Sequence, residues 1–146
     1  MFEEFPDVLG IPPKYLGIVG SRNFANFELI EKAIEVFPVG TPIVTGDAKG
    51  VDTMAYHSGK KLGNTPIRVH ACWQAHGKGA GLRRNPVIVD IAWAVLAFWD
   101  GESTGTLNSM KHAFNNRKPC IVVYDDPDGR WELIDREFAR KYGWRY

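Results

Sequence analysis

A three-layer α/β fold with a mainly parallel central sheet is what the sequence predicts, and three observations carry it. Short apolar runs alternate along the chain with segments whose apolar residues recur at helical spacing. Several of the runs are apolar at every position, the pattern of parallel strands covered by helices on both faces. Three of them lead into loops rich in glycine, hydroxyl and amide side chains where the next helix begins.

The first strand is Tyr15 to Gly20, preceded by the pair Pro12-Pro13, which no helix continues through. Phe27, Ile30, Ile34 and Phe37 follow at spacings of three, four and three, one stripe of a helix over about 26 to 37 that Pro38 and Gly40 stop. Pro42 to Gly46 is the second strand, and Val51, Met54, Ala55 and Leu62 mark a helix from about Gly50 to Leu62, closed by Gly63. Ile67 to Cys72 is the third strand. Gln74 to Gly81 has three glycines in eight positions and no apolar period, hence a flexible loop. Asn85 to Ala92 fits a short helix with Pro86 in its first turn, and Trp93 to Trp99 a fourth strand. Leu107, Met110 and Phe114 define the face of a further helix, Cys120 to Tyr124 a fifth strand, Asp125 to Arg130 a polar turn and Leu133 to Tyr142 a terminal helix. Residues 1–14 read as an irregular arm that packs Phe2 and Phe5. With no linker composition anywhere, residues 1–146 are expected to form one domain.

At 146 residues, 45% hydrophobic and 24% charged, the chain has the make-up of an ordinary globular domain. Its 18 Lys and Arg nearly balance 17 Asp and Glu, so no global positive field exists, and a nucleic-acid or membrane partner is disfavoured. The longest apolar stretch, Ile91 to Trp99, has nine residues, short of the ~20 of a spanning helix. The acidic opening Met1 to Asp7 is unlike a secretory signal, which points to a cytoplasmic location. Cys72 and Cys120, each near a strand, read as reduced core thiols. His70, Cys72 and His76 lack a fourth ligand at metal-site spacing, so no metal site is assigned.

Ligands of open parallel sheets bind beyond the carboxyl ends of the strands. Three loops there are unusual: Gly20-Ser21-Arg22-Asn23, Gly46-Asp47-Ala48-Lys49-Gly50-Val51-Asp52 and Asp100-Gly101-Glu102-Ser103-Thr104-Gly105-Thr106. Glycine admits close backbone approach, the first amides of a helix lack partners, and Ser or Thr adds hydroxyl donors, which together suit an anion such as phosphate. Any one of these loops is equally a turn with an N-cap; their joint placement is what predicts a site. No acid occurs between Asp52 and Asp90, whereas Lys60, Lys61, Arg68, Lys78, Arg83 and Arg84 do. Lys60 and Lys61 read as a solvated face. Arg83 and Arg84, after the Gly-rich loop, are better placed as a phosphate clamp. Asn85 is either a contact or an N-cap. Asp52 is either a site acid or a complement to the helix dipole, and Asp100 either a site acid or a turn residue. Trp93 and Trp99 read as core, and Trp73 as core or as a cover over a ligand.

Gly17-Ile18-Val19-Gly20-Ser21-Arg22, the Gly46-x-Ala48-x-Gly50-Val51-Asp52 loop followed by Met54-Ala55, the Gly-rich loop ending in Arg84-Asn85, and Gly101-x-Ser103-Thr104-Gly105-Thr106 together resemble the SLOG superfamily over roughly residues 15–125. That superfamily groups the Smf/DprA DNA-processing proteins, the LOG phosphoribohydrolases and small nucleotide sensors, and the chain is most similar to the stand-alone YspA-like branch. The resemblance implies a Rossmann-like fold that binds a nucleotide or ADP-ribose-like small molecule. The implied contacts are Gly20, Ser21 and Arg22; Gly46, Asp47, Gly50 and Asp52; Arg84 and Asn85; and Asp100, Gly101, Ser103, Thr104, Gly105 and Thr106. It also implies a homo-oligomer, for which an aromatic content of 12% leaves room.

Two departures from the pattern matter. LOG enzymes follow their Gly-rich loop with a catalytic glutamate, whereas Gly105-Thr106-Leu107 continues here into Asn108-Ser109. Cleavage of an N-glycosidic bond would have to draw on Asp47, Asp52 or Asp100. Asp47 stands where a small residue is more usual, and would repel phosphate unless Arg22 or a divalent cation neutralised it, or would accept ribose hydroxyls. The leading expectation is therefore a nucleotide-binding, sensor-like protein. The alternatives are a LOG-like hydrolase or transferase and a single-strand DNA accessory protein of Smf/DprA type, the last weighed down by the near-zero charge.

Overall fold

The sheet is built from β1 (Leu16–Gly20), β2 (Ile43–Gly46), β3 (Ile67–Val69), β4 (Ala94–Trp99), β5 (Cys120–Tyr124) and β6 (Trp131–Leu133), in the order β3-β2-β1-β4-β5-β6. Neighbours run parallel except β6, which pairs antiparallel to β5. The helices are α1 (Phe5–Leu9), α2 (Phe27–Glu35), α3 (Val51–Lys61), α4 (Ala80–Ile91), α5 (Thr104–Asn115) and α6 (Arg136–Lys141), with a 3-10 turn at Gly77–Gly79. A computed structural model of the chain describes residues 1–10, 14–72, 74 and 77–145; Pro12, Pro13, Trp73 and His76, which entered the sequence argument, lie outside the described residues.

The two-residue period of the strands divides the core into two layers. Leu16, Ile18, Leu96, Phe98, Ile121 and Val123 face α1, α2 and α3 in one layer, and Val19, Val95, Ala97, Trp99, Cys120, Val122 and Tyr124 face α4, α5 and α6 in the other. Nearly all these side chains are under 5% exposed, which is why their strands read as unbroken apolar runs. This is the Rossmann-like three-layer arrangement that was expected. Among the described residues no helix is long and apolar enough to cross a membrane.

Four features differ from the sequence reading. The stretch read as an irregular arm contains α1: Gly10 at φ 70° closes it, and Phe5 is buried between Phe2, stacked at 4.9 Å, and the edge of Trp131 at 5.0 Å. The Gln74–Gly81 segment is not loop throughout, because α4 begins at Ala80 and carries Pro86 in its interior. Ala80, Arg84 and Ile88 all lie at 7% exposure or less along one face of α4, and the charge in the middle of that stripe hides its period. The terminal helix is shorter than 133–142. Trp131–Leu133 extends the sheet, and α6 opens after Asp135, whose carboxylate accepts from the Phe138 amide at 2.9 Å. The third strand ends at Val69, which leaves Cys72 exposed rather than in the core, while Cys120 is buried as expected.

Candidate functional site

Chain order reverses between β1 and β4, which are hydrogen-bonded neighbours, so the loops after them leave in opposite directions and open a crevice between. A cleft of about 490 Å³ lies there. Of the sequence-predicted residues it is lined by Gly20, Arg22, Asp52, Arg84, Asn85, Asp100, Ser103, Thr104, Gly105 and Thr106. Ser21, Gly46, Asp47, Gly50 and Gly101 are not among its lining residues. Val19, Asn23, Ala48 and Glu102, which the sequence analysis quoted in its motifs without naming them as contacts, also line it, as do Gly81 and Ser109.

Ser21 is the pin of the crevice rather than a ligand contact. It is 1% exposed, its amide donates to the Phe98 carbonyl at 2.9 Å, and its Oγ accepts from the Asp100 amide at 3.1 Å and bonds Thr106 Oγ1 at 3.2 Å. One side chain thus ties the end of β1 to the end of β4 and to α5. Asp100 folds its own loop: its carboxylate accepts from the amides of Glu102, at 2.9 Å, and Ser103, at 2.8 Å. Partial burial works against its charge, but these amides and Ser21 outweigh it and hold the carboxyl below the ordinary range. Ser103 then caps α5 by accepting from Thr106.

Four helices, α2, α3, α4 and α5, begin at this edge of the sheet, and carboxylates of the chain stand at the amino ends of two of them. Asp125, at the end of β5, accepts from the amides of Ala25, at 2.8 Å, and Asn26, at 3.2 Å, just before α2. Asp52, in the first turn of α3, accepts from the Ala48 amide at 3.1 Å and from Thr45 Oγ1 at 3.2 Å. A carboxylate at a helix amino end satisfies the same donors that phosphate would. In the loop over residues 46–52, Asp52 takes the Ala48 amide and sets a carboxylate in the first turn of α3, where the sequence reading placed a bound anion. At α5 the amides of Thr104 and Gly105 have no protein partner among the described residues. Across the cleft Arg22 is exposed and forms no ion pair with a described residue.

Arg84, the expected phosphate clamp, lines the cleft and is held in its floor by a network of its own. It is 7% exposed; Nη1 donates to Asp47 Oδ1 at 2.7 Å and to the Val69 carbonyl at 3.1 Å, Nε donates to Asn85 Oδ1 at 2.8 Å, and Nη2 stands 3.9 Å from Asp52 Oδ2. Asp47 is thus paired with Arg84 rather than Arg22, with His70 Nδ1 at 3.0 Å on its other oxygen. Its partial burial is outweighed by these bonds, and its carboxyl lies below the usual range. Gly46 is required by this network, because a Cβ there would stand 2.4 Å from Arg84 Nη1 and 2.5 Å from Asp52 Oδ2. Gly50 and Gly101 serve turns.

Asp52 differs from its neighbours: burial pushes its carboxyl up, and the nearby Arg84 and the bonds from Ala48 and Thr45 only partly offset this. A carboxyl raised in the folded state binds its proton more tightly there, so this group adds stability as pH falls from the raised value toward the ordinary 3.8. Asp47 and Asp100, held low, lose theirs below 3.8. Asp52→Asn is accordingly expected to gain on the wild type as pH rises from 3.8 through the raised value. Urea unfolding of both proteins across that window checks it; a difference independent of pH would refute it.

No protein-family model matches the chain. It is 36% identical over 120 residues to the Gene 61 protein of Mycobacterium phage D29, an alignment covering 75% of this chain and 96% of that protein. Among solved structures it is similar to DNA processing protein A from Helicobacter pylori, with a TM-score of 0.60 and 19% identity over 94% of this chain and 75% of that one. That structure is described for its single-stranded DNA binding mode. The fold is thus shared with a Smf/DprA protein, and the exclusion of a nucleic-acid partner from net charge is overturned. Net charge averages over the whole surface, whereas strand binding is decided by the few donors that meet the strand.

Proposed function

The chain belongs to the family of the Gene 61 protein of Mycobacterium phage D29, and we propose that its cleft seats a backbone phosphate of single-stranded DNA between the open amino end of α5 and Arg22. The observation that carries this is the pair of unclaimed amides at Thr104 and Gly105 at a helix amino end that faces a crevice. The fold shared with a single-strand-binding protein supports the choice of ligand. The resemblance to the SLOG superfamily supports the same place, since it implies ligand contacts at Ser103, Thr104, Gly105 and Thr106. Hydrolysis through the three acids that the sequence offered is disfavoured, because each is already engaged: Asp47 with Arg84 and His70, Asp52 with Ala48 and Thr45, Asp100 with Glu102 and Ser103.

Thr104→Pro isolates the decisive donor. Thr104 is the first residue of α5, where proline is well tolerated, and Ser103 before it already holds the extended ψ of 118° that a following proline requires. The fold is expected to survive, and affinity for a fluorescein-labelled oligothymidylate to fall by roughly ten-fold or more, since a hydrogen bond to a charged group contributes about 1.5–3 kcal/mol. Thr104→Ala, which keeps the amide, should bind nearly as the wild type does. Fluorescence anisotropy measures both, and unchanged binding by the proline variant would remove the proposed seat.

A second reading is favoured by the acids around the cleft. Asp52, Asp100 and Glu102 face Arg22 and Arg84 there, a balance suited to one phosphate with a ribose rather than to a long polyanion. In that case a free nucleotide or ADP-ribose-like molecule is the ligand. A mononucleotide at 100 times its dissociation constant would then stabilise the protein by about 2.7 kcal/mol, while the oligothymidylate binds no better than its single unit.

A further inference from the structure

At the opposite edge of the sheet, where the parallel strands begin, lies a cavity of about 820 Å³ that the reading above does not use. Its walls come from Val8, Phe114, Pro119, Leu133 and Ile134, and its polar lining from Arg117, Lys118, Arg136 and Asn115, with no carboxylate among them. Leu133 is 42% exposed on β6 at this opening, an apolar side chain left facing water.

Arg117 is the unusual member. The end of α5 closes with the amide of Lys118 donating to the Ala113 carbonyl at 2.9 Å and that of Arg117 to the Phe114 carbonyl at 3.1 Å. This closure puts Arg117 at φ 57°, the left-handed conformation normally filled by glycine, and it is the one non-glycine residue at positive φ among the described residues. An L-residue is strained there, and strain of this kind marks positions held for a purpose other than stability. Its guanidinium stands exposed on the cavity rim. Lys118 is bound in place, its ammonium donating to the carbonyls of Val89, at 2.6 Å, and Asp90, at 2.7 Å, at the end of α4.

We infer that this cavity is a docking site for an acidic peptide segment of a partner protein, an apolar side chain entering between Phe114, Leu133 and Ile134 while a carboxylate beside it meets Arg117. Charge complementarity selects that occupant: a lining that holds Arg117 and Lys118 and, among the described residues, no carboxylate repels a basic segment and leaves a neutral one with only the apolar floor. The site is independent of the cleft and of its ligand.

The test uses a fluorescein-labelled peptide, Asp-Leu-Glu-Phe-Asp-Leu, titrated with the full chain and followed by anisotropy. Saturable binding is expected to the wild type and not with the version in which lysine replaces each acid. Arg117→Gly is expected to weaken binding at least ten-fold while raising the melting temperature, because glycine relieves the left-handed strain; Leu133→Ser should weaken binding without changing the secondary structure. Arg22→Ala should leave peptide binding intact. Equal affinity for wild type and Arg117→Gly, equal binding of the lysine peptide, or loss of binding in Arg22→Ala would each overturn the inference. So would sedimentation showing a dimer broken by Leu133→Ser and untouched by peptide, the sign that a second copy covers this face.

Discussion

Arg84→Met is expected to destabilise the protein by about 3–5 kcal/mol, the usual cost of removing one partner of a buried charge pair. The side chains of Arg84 and Asp52 are 6% and 8% exposed, and Arg84 also bonds Asp47, Asn85 and the Val69 carbonyl, so methionine would leave buried acceptors facing a thioether. Urea unfolding should show a lower midpoint at an unchanged slope. The double variant Arg84→Met/Asp52→Asn is expected to recover a substantial part of the loss, since the carboxylate that needed the cation is gone. If the two single effects simply add, the ion pair is not the source of the destabilisation.

Gly20→Ala is the second large effect, at about 3 kcal/mol, the upper end of what overpacking costs in a close-packed interior. A Cβ at Gly20 would stand 2.5 Å from Val51 Cγ2 and 2.6 Å from both Val51 Cβ and Cγ1. The neighbour cannot swing aside, because Val51 is 1% exposed and begins α3. Val51→Ala should therefore rescue Gly20→Ala poorly: the remaining Cβ is itself one of the clashing atoms. Thermal melts of the two single variants and the double variant decide it, and full rescue would show that only the two methyls were in conflict.

These two glycines also show where the sequence was legible and where it was not. Gly20 and Gly46 were picked out as openings for a ligand's phosphate, and the structure uses both to let α3 and Arg84 approach the sheet. The residue type signals close approach but not what approaches. Strands β1, β2, β4 and β5 were legible because both their faces are buried, so every position had to be apolar. The start of α4 was not, because Arg84 interrupts its buried stripe and Pro86 lies within it. The extent of β6 was obscured by its three-residue length. Asp125 was passed over as a turn residue although it caps amides 99 and 100 residues earlier; no local pattern carries a contact across that separation. The general rule that carboxyl ends of parallel strands face the crevice edge was the one available signal for it.

The carboxylates that Asp52 and Asp125 set at two helix ends bear on the proposed binding of a DNA strand. A strand held through one phosphate seat displaces few counterions, so the logarithm of affinity should fall against the logarithm of salt with a slope of only about −0.7. On that proposed mode of binding, affinity would change little between dilute and concentrated electrolyte, with shape at short range deciding what stays.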